Sequence, residues 1–201
     1  MTLSCRGLLF DLDGTLIDSL PAVDRAWTAW SLRVGLDPSA VLPVIHGRRS
    51  LDSVRDLAPR LDSLAEDAWL RARECEDTEG VTVLPGARPL LDSLPPGSWA
   101  VVTSGTRDVA TARLRAVGIE PPPGSVYGDD VARGKPDALP FRLGAERLGL
   151  APAECVAFED APAGLASAVA AGCLVVSVGV PAPGIAVRTT IDRITVAVTQ
   201  E

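Results

Sequence analysis

The chain has 201 residues, 47% of them apolar, and its 26 acidic against 19 basic side chains leave a formal charge of −7. That length supports one sizeable α/β domain or a core with a smaller domain inserted, and the apolar content excludes a disordered chain. No apolar run reaches the roughly 18 residues of a membrane helix, and no Lys/Arg cluster offsets the acidic balance, so neither a membrane nor nucleic acid is an expected partner. The opening MTLSCRGLLFDLDG has no charged start, long apolar stretch or small-residue cleavage site, and the expected location is cytoplasmic. Cys5, Cys75, Cys155 and Cys173 are widely spaced without a CxxC pair, which predicts buried free thiols rather than a zinc or redox site. A monomer is expected.

Residues 6–11 (RGLLFD) read as a short buried strand closed by a turn at Gly14. The pattern then becomes helical. Val23, Trp27, Trp30 and Val34 share one face, Leu51, Val54, Leu57 and Ala58 a second, and Leu61, Leu64, Ala65, Ala68 and Trp69 a third. These predict an insert of three or four helices between about residues 21 and 80, with the Trp27/Trp30 stripe as its core. From Val81 strands and helices alternate: strand 99–103 (WAVVT), helix 107–117 closed by Gly118, a short strand at 125–127, and helix 137–148 closed by Gly149. Strand 155–158 (CVAF), a small-residue helix 163–171 ending at Gly172, and strand 174–178 follow. Residues 181–184 (PAPG) read as a turn and 193–198 (RITVAV) as an edge strand. Strands alternating with helices imply parallel crossovers, hence the α/β class with a doubly wound, Rossmann-like sheet and an inserted small α-helical domain. The expected division is 1–16 and 84–201 for the core and 17–83 for the insert.

Ligands in such sheets bind beyond the carboxyl ends of the strands. Asp11 and Asp13 follow the first strand, Thr103, Ser104 and Gly105 the second, Gly134, Lys135 and Pro136 the weak third, and Glu159 and Asp160 the fourth. Acids converging at one edge repel unless a cation joins them, and hard carboxylate oxygens favour Mg²⁺. A lysine and a hydroxyl beside them supply the point charge and the donor that a phosphoryl group needs. Metal, lysine and a carboxylate nucleophile together describe phosphoryl transfer through an aspartyl phosphate, with a second acid moving the proton. Singly, each group has an ordinary explanation: Asp-Gly turns end strands, acids cap helices, and lysines sit on surfaces. Jointly those explanations do not account for the order in which the groups recur at strand ends.

FDLDGTLIDS (10–19), VVTSGT (101–106), GKPD (134–137) and FEDAPAG (158–164) resemble, in order, the motifs of the haloacid dehalogenase superfamily of phosphohydrolases. Within it the chain is similar to the sugar-phosphate phosphatase branch with a helical cap after the first motif. HGRR (46–49) and WAVVTSGTR (99–107) further resemble phosphatases of the glycerol-3-phosphate and 2-deoxyglucose-6-phosphate type. The resemblance implies Asp11 as nucleophile and Asp13 as general acid/base, whose backbone carbonyl also binds Mg²⁺. It implies that Thr103, with Ser104 and Gly105, holds the phosphoryl oxygens, that Lys135 neutralises charge, and that Asp11 and Asp160 ligate the metal with Glu159 behind them. His46, Arg48 and Arg49 would face the leaving group, a small phosphorylated sugar or polyol. The cap would close over the site, hinged near residues 16–21 and 82–86.

Two alternatives use the same groups. A mutase of the β-phosphoglucomutase type shares the core, but that branch carries a histidine soon after the first motif, where this chain has Val23. A phosphoaspartate receiver domain of signalling proteins also gathers acids, a hydroxyl and a Lys-Pro at strand ends. It lacks the helical insert, and its phosphorylated Asp lies on a later strand. A dehalogenase has no need of Asp13, GDDVARGKP has the wrong spacing for a P-loop, and a single histidine leaves little for a histidine triad. The loop 134–141 reads GKPDALPF where relatives often read GKPDPEPF, which alters the entry to the following helix but not Lys135.

Overall fold

A computed structural model of the chain describes residues 2–179, 187–189 and 195–199. Thr2–Cys5 (β1) and Gly7–Phe10 (β2) come first, and a two-residue strand Ile17–Asp18 (β3) leads into four helices. These are Leu20–Val34 (α1), Pro38–Ile45 (α2), Ser50–Leu57 (α3) and Ser63–Glu76 (α4). Thr82–Val83 (β4) returns to the core, followed by Ala87–Ser93 (α5), Trp99–Val101 (β5), Arg107–Ala116 (α6) and Leu139–Arg147 (α7). Cys155–Glu159 (β6), Pro162–Ala171 (α8), Leu174–Val178 (β7), Val187–Thr189 (β8) and Thr195–Val198 (β9) complete the described elements.

The main sheet has the order β5-β2-β6-β7-β8 with every pair parallel, while β1 pairs separately with β9. Leu8, Leu9 and Phe10 on β2 are all fully buried, as a central parallel strand covered on both faces requires. Their side chains alternate between two cores. Leu8 and Phe10 meet Phe158, Leu90, Leu91 and Leu114 on the face of α5 and α6, and Phe10 stacks on Phe158 at 4.7 Å. Leu9, Ala100 and Ala157 meet Phe141, Ala145 and Ala168 on the face of α7 and α8. Gly144 allows α7 to approach closely, since a Cβ there would fall 2.8 Å from Val102 and 3.1 Å from Leu9. The result is the three-layered, doubly wound sheet expected from the sequence.

The four inserted helices bury a core of their own around Trp27, Trp30, Val41, Ile45, Val54 and Leu70. Trp27 and Trp30 meet edge to face at 5.3 Å, and the buried Trp30 indole N–H donates to Glu66 at 2.8 Å. Asp37 and Asp62 cap α2 and α4 by accepting from Ser39 N and Leu64 N. Pro21 fits the first turn of α1, and Gly35 at φ +76° ends that helix. The insert joins the core through the antiparallel β3–β4 ribbon, in which Ile17 pairs with Val83 and Asp18 with Thr82.

The strand expected at 125–127 is a single parallel bridge between Val102 and Val126. Prolines 121–123 precede it without N–H donors, the Ser125 hydroxyl takes the Val101 N–H, and a 3₁₀ turn at Gly128–Asp130 follows at once. Helix α7 starts at Leu139 rather than 137, because Asp137 turns its carboxylate onto the Leu139 N–H and so stays outside the helix. The PAPG turn at 181–184 and positions 193–194 of the last strand lie outside the described residues. All four cysteines are free, Cys5 and Cys155 buried but Cys75 and Cys173 only partly so. No described helix is long and apolar enough to cross a membrane.

Candidate active site

From β2 the chain passes to β5 on one side and later to β6 on the other, so β2 stands at the point where the strand order reverses. Asp11 is the first residue past β2, tied to β6 by its N–H on the Phe158 carbonyl at 2.9 Å. A tight turn follows, with Leu16 N bonded to Leu12 O and Gly14 N to Ile17 O. Gly14 has φ +86°, and a Cβ on it would overlap the Asp160 carboxylate, so both backbone and space demand glycine. Thr15 donates its hydroxyl to Asp160 Oδ1 at 3.1 Å, joining the first motif to the fourth.

Lys135 has a fully buried side chain whose Nζ lies 2.6 Å from both Asp11 Oδ1 and Glu159 Oε1. Burial works against the ammonium, but the Coulombic pull of Asp11 and Glu159 outweighs it and holds the lysine protonated above its ordinary range. Asp11 is pushed well above the usual carboxylate range by burial, Lys135 opposing and Glu159, Asp160 and Asp13 adding to the shift. Asp160 is raised to about 7, by burial first and then by the Glu159 charge.

Asp11, Glu159 and Asp160 each bring a carboxylate oxygen within 4.8 Å of the others. Three acids crowded in a dry site, with two of them pushed up, form a hard-oxygen donor set whose repulsion a divalent cation relieves. Glu159 spends one oxygen on Lys135 and the other on the Ala161 N–H at 2.9 Å, which leaves Asp11 and Asp160 the better-placed ligands.

The Asp13 side chain lies outside this cluster. Ser19 donates to its Oδ1 at 2.5 Å and Arg113 Nη1 at 2.9 Å, while Arg113 Nη2 donates to Glu74 Oε1 at 2.9 Å. Arg113 and Glu74 were not among the residues expected from the sequence. Both carry a readable signal: Arg113 stands on the buried stripe of α6 with Val109, Ala110 and Leu114, and Glu74 follows buried Leu70 by four residues on α4.

A cleft of about 60 Å³ between insert and core is lined by Asp11, Asp13, Thr103 and Asp160 below and His46 and Arg48 above. Ser104 and Gly105 also line it, and Leu20, Val23, Trp27 and Ile45 form its apolar wall. Thr103 is buried and its hydroxyl accepts from Gly105 N at 3.1 Å. Ser104 instead donates its hydroxyl to the Gly47 carbonyl of the insert at 2.9 Å. His46 Nε2 lies 3.3 Å from Asp24, and Arg48 pairs with Asp56 at 2.5 Å. Arg49 is not brought to the cleft. Its guanidinium pairs with Asp52 and donates to the carbonyls of Val131 at 2.7 Å and Ala132 at 3.3 Å, in the core loop that leads to Lys135.

The family model of the haloacid dehalogenase-like hydrolases matches residues 5–172. Hexitol phosphatase A of Escherichia coli (strain K12) is 50% identical over 183 residues, covering 89% of this chain and 85% of that protein. Glycerol-1-phosphate phosphohydrolase 2 of Saccharomyces cerevisiae (strain ATCC 204508 / S288c) is 35% identical over 193 residues, covering 89% and 76%. The crystal structure of CbbY from Rhodobacter sphaeroides in complex with phosphate shares the fold, with a TM-score of 0.79 at 20% identity over 94% of this chain and 96% of that one. With the family match spanning both the first and last of the motif segments around the Asp11–Lys135–Glu159–Asp160 cluster, the chain belongs to the haloacid dehalogenase-like hydrolases.

Proposed function

We propose that the protein is a Mg²⁺-dependent phosphatase of a small phosphorylated sugar or polyol, working through an aspartyl phosphate. The observation that carries the reading is the placement of Asp11 at the sheet's switch point, with the Lys135 ammonium 2.6 Å from one of its oxygens and the Asp13 carboxylate beside the same cleft. The 50% identical relative is named a hexitol phosphatase, which supports a polyol or sugar phosphate as substrate class.

In this reading an Asp11 carboxylate oxygen attacks phosphorus, and the bond to the ester oxygen breaks with its electron pair leaving on that oxygen. Asp13 gives its proton to the departing alkoxide. Water then attacks the aspartyl phosphate, Asp13 takes its proton, and phosphate leaves with Asp11 restored. Lys135 offsets charge on Asp11 and the phosphoryl oxygens, and Thr103 with the backbone N–H of Ser104 orients those oxygens, while the Gly105 N–H holds the Thr103 hydroxyl in place. Asp11 and Asp160, with the Asp13 backbone carbonyl, would hold the Mg²⁺. When bound, it neutralises the acids and polarises a phosphoryl oxygen.

Residues 17–83 act as a cap on a core formed by 1–16 and 84–201, excluding bulk water from the intermediate. His46 and Arg48 face the leaving group, and Val23 on the cleft wall offers no proton-transfer group where the mutase branch has its histidine. Phosphate release from a panel of sugar and polyol phosphates, with Mg²⁺ and with EDTA, tests this. Release that stops on chelation is expected, whereas isomerisation of a hexose 1-phosphate with little phosphate released would replace it with a mutase.

A further inference from the structure

Both partners of the Asp13 carboxylate lead to the insert. Ser19 is the N-cap position of α1, where the insert begins. Arg113 belongs to the core, but its second arm is anchored on Glu74, in the last turn of α4, where the insert ends. A guanidinium is a rigid planar fork, so fixing Nη2 on Glu74 fixes the direction of Nη1 toward Asp13. Arg113 is 3% exposed, and among the described residues its Nε has no hydrogen-bond partner, so the Asp13 and Glu74 carboxylates are what hold it in place. Glu74 is also buried. Ion pairs buried like this are about neutral or destabilising next to apolar side chains of similar volume, so stability alone is a weak reason for this one.

We infer that Glu74 and Arg113 are positioning residues that make the orientation of Asp13 depend on the insert's docking against the core. The inference rests on the phosphatase reading, in which Asp13 protonates the leaving oxygen. With the insert docked, the chain Glu74–Arg113–Asp13 is complete and the acid is aimed into the cleft. With the insert withdrawn, Glu74 leaves, the fork loses its anchor, and Asp13 is no longer aimed. Proton transfer is thereby reserved for the closed, water-poor state.

The test measures single-turnover phosphorylation of Asp11 from two donors, in the full-length enzyme with Mg²⁺. One is the panel phosphate that the wild type hydrolyses fastest, whose alkoxide needs a proton; the other is acetyl phosphate, whose acetate leaves without one. Glu74→Ala should slow the first by about 10-fold or more, within the range of general acid catalysis, with KM changed less than about 2-fold. It should leave the second within about 2-fold, because that step needs no aimed acid. Glu74→Gln keeps an acceptor for Nη2 and should recover most of the loss, and in an Asp13→Asn background Glu74→Ala should cost nothing further.

Equal losses on both donors, or an additive loss in the Asp13→Asn background, would show a plain structural brace and overturn the inference. So would unchanged rates on both donors. A wild type that releases phosphate from no panel member overturns the phosphatase reading itself, and that result is visible before any variant is made.

Discussion

The Glu159 carboxylate occupies the space that a side chain at position 164 would fill: a Cβ built on Gly164 would overlap both of its oxygens. Glu159 is therefore packed against the first turn of α8, one oxygen on Lys135 and the other on the Ala161 N–H. Gly164→Ala should displace that carboxylate, loosen Lys135 and lower phosphatase turnover by about 10-fold or more, with a stability loss of about 1–3 kcal/mol from overpacking. Urea unfolding alongside the activity assay checks it, and a variant with native stability and turnover would show that the glycine is not needed.

Lys135 is a buried cation between two buried acids. Removing one partner from such a group leaves uncompensated charge and costs about 3–5 kcal/mol. Lys135→Met should therefore both abolish turnover and lower the urea midpoint, while Lys135→Arg, with a larger planar head, should not restore activity. A Lys135→Met protein as stable as the wild type would contradict the reading of this lysine as the compensating charge for Asp11 and Glu159.

The sequence makes much of this arrangement legible, because strands of continuous apolar residues are short and their ends are marked by Asp, Thr, Lys and Glu. RGLLFD and CVAF fall where expected because β2 and β6 are buried along their whole length, and 174–178 because its last three residues are buried, although Leu174 at its start is exposed. Residues 125–127 mislead, since one bridge and a following 3₁₀ turn look locally like a strand. The two-residue β3 and β4 are too short for any period to show, and β1 (TLSC) carries no apolar alternation. Within the site, motif order brings Asp11, Lys135, Glu159 and Asp160 together on paper as in space. Arg113 and Glu74 belong to no motif, and their burial depends on α4 and α6 meeting, a contact between elements nearly forty residues apart. Arg49 shows the converse: it sits beside His46 and Arg48 in the chain, yet its side chain turns to the core loop.

That turn makes Arg49 a clasp. It donates to the Val131 and Ala132 carbonyls, and Gly134 lies so close that a Cβ there would fall 2.6 Å from Arg49 Nε. Hydrogen bonds from a charged group contribute about 1.5–3 kcal/mol. Arg49→Ala should weaken docking of the insert by roughly that amount, seen as faster tryptic cleavage in the 46–60 segment and a raised KM. Unchanged proteolysis and KM would show that the clasp has no part in closure.

The central claim is that Asp11 carries the phosphoryl group. The direct measurement is phosphate release from the best panel substrate at saturating Mg²⁺ by the wild type and by Asp11→Asn, with acid-quenched protein examined for a phosphorylated Asp11. The account predicts phosphoaspartate in the wild type only and turnover at least about 10⁴-fold lower in the variant, as loss of a covalent nucleophile entails. Turnover of Asp11→Asn within about 10-fold of the wild type, with no phosphorylated intermediate in either, would contradict it.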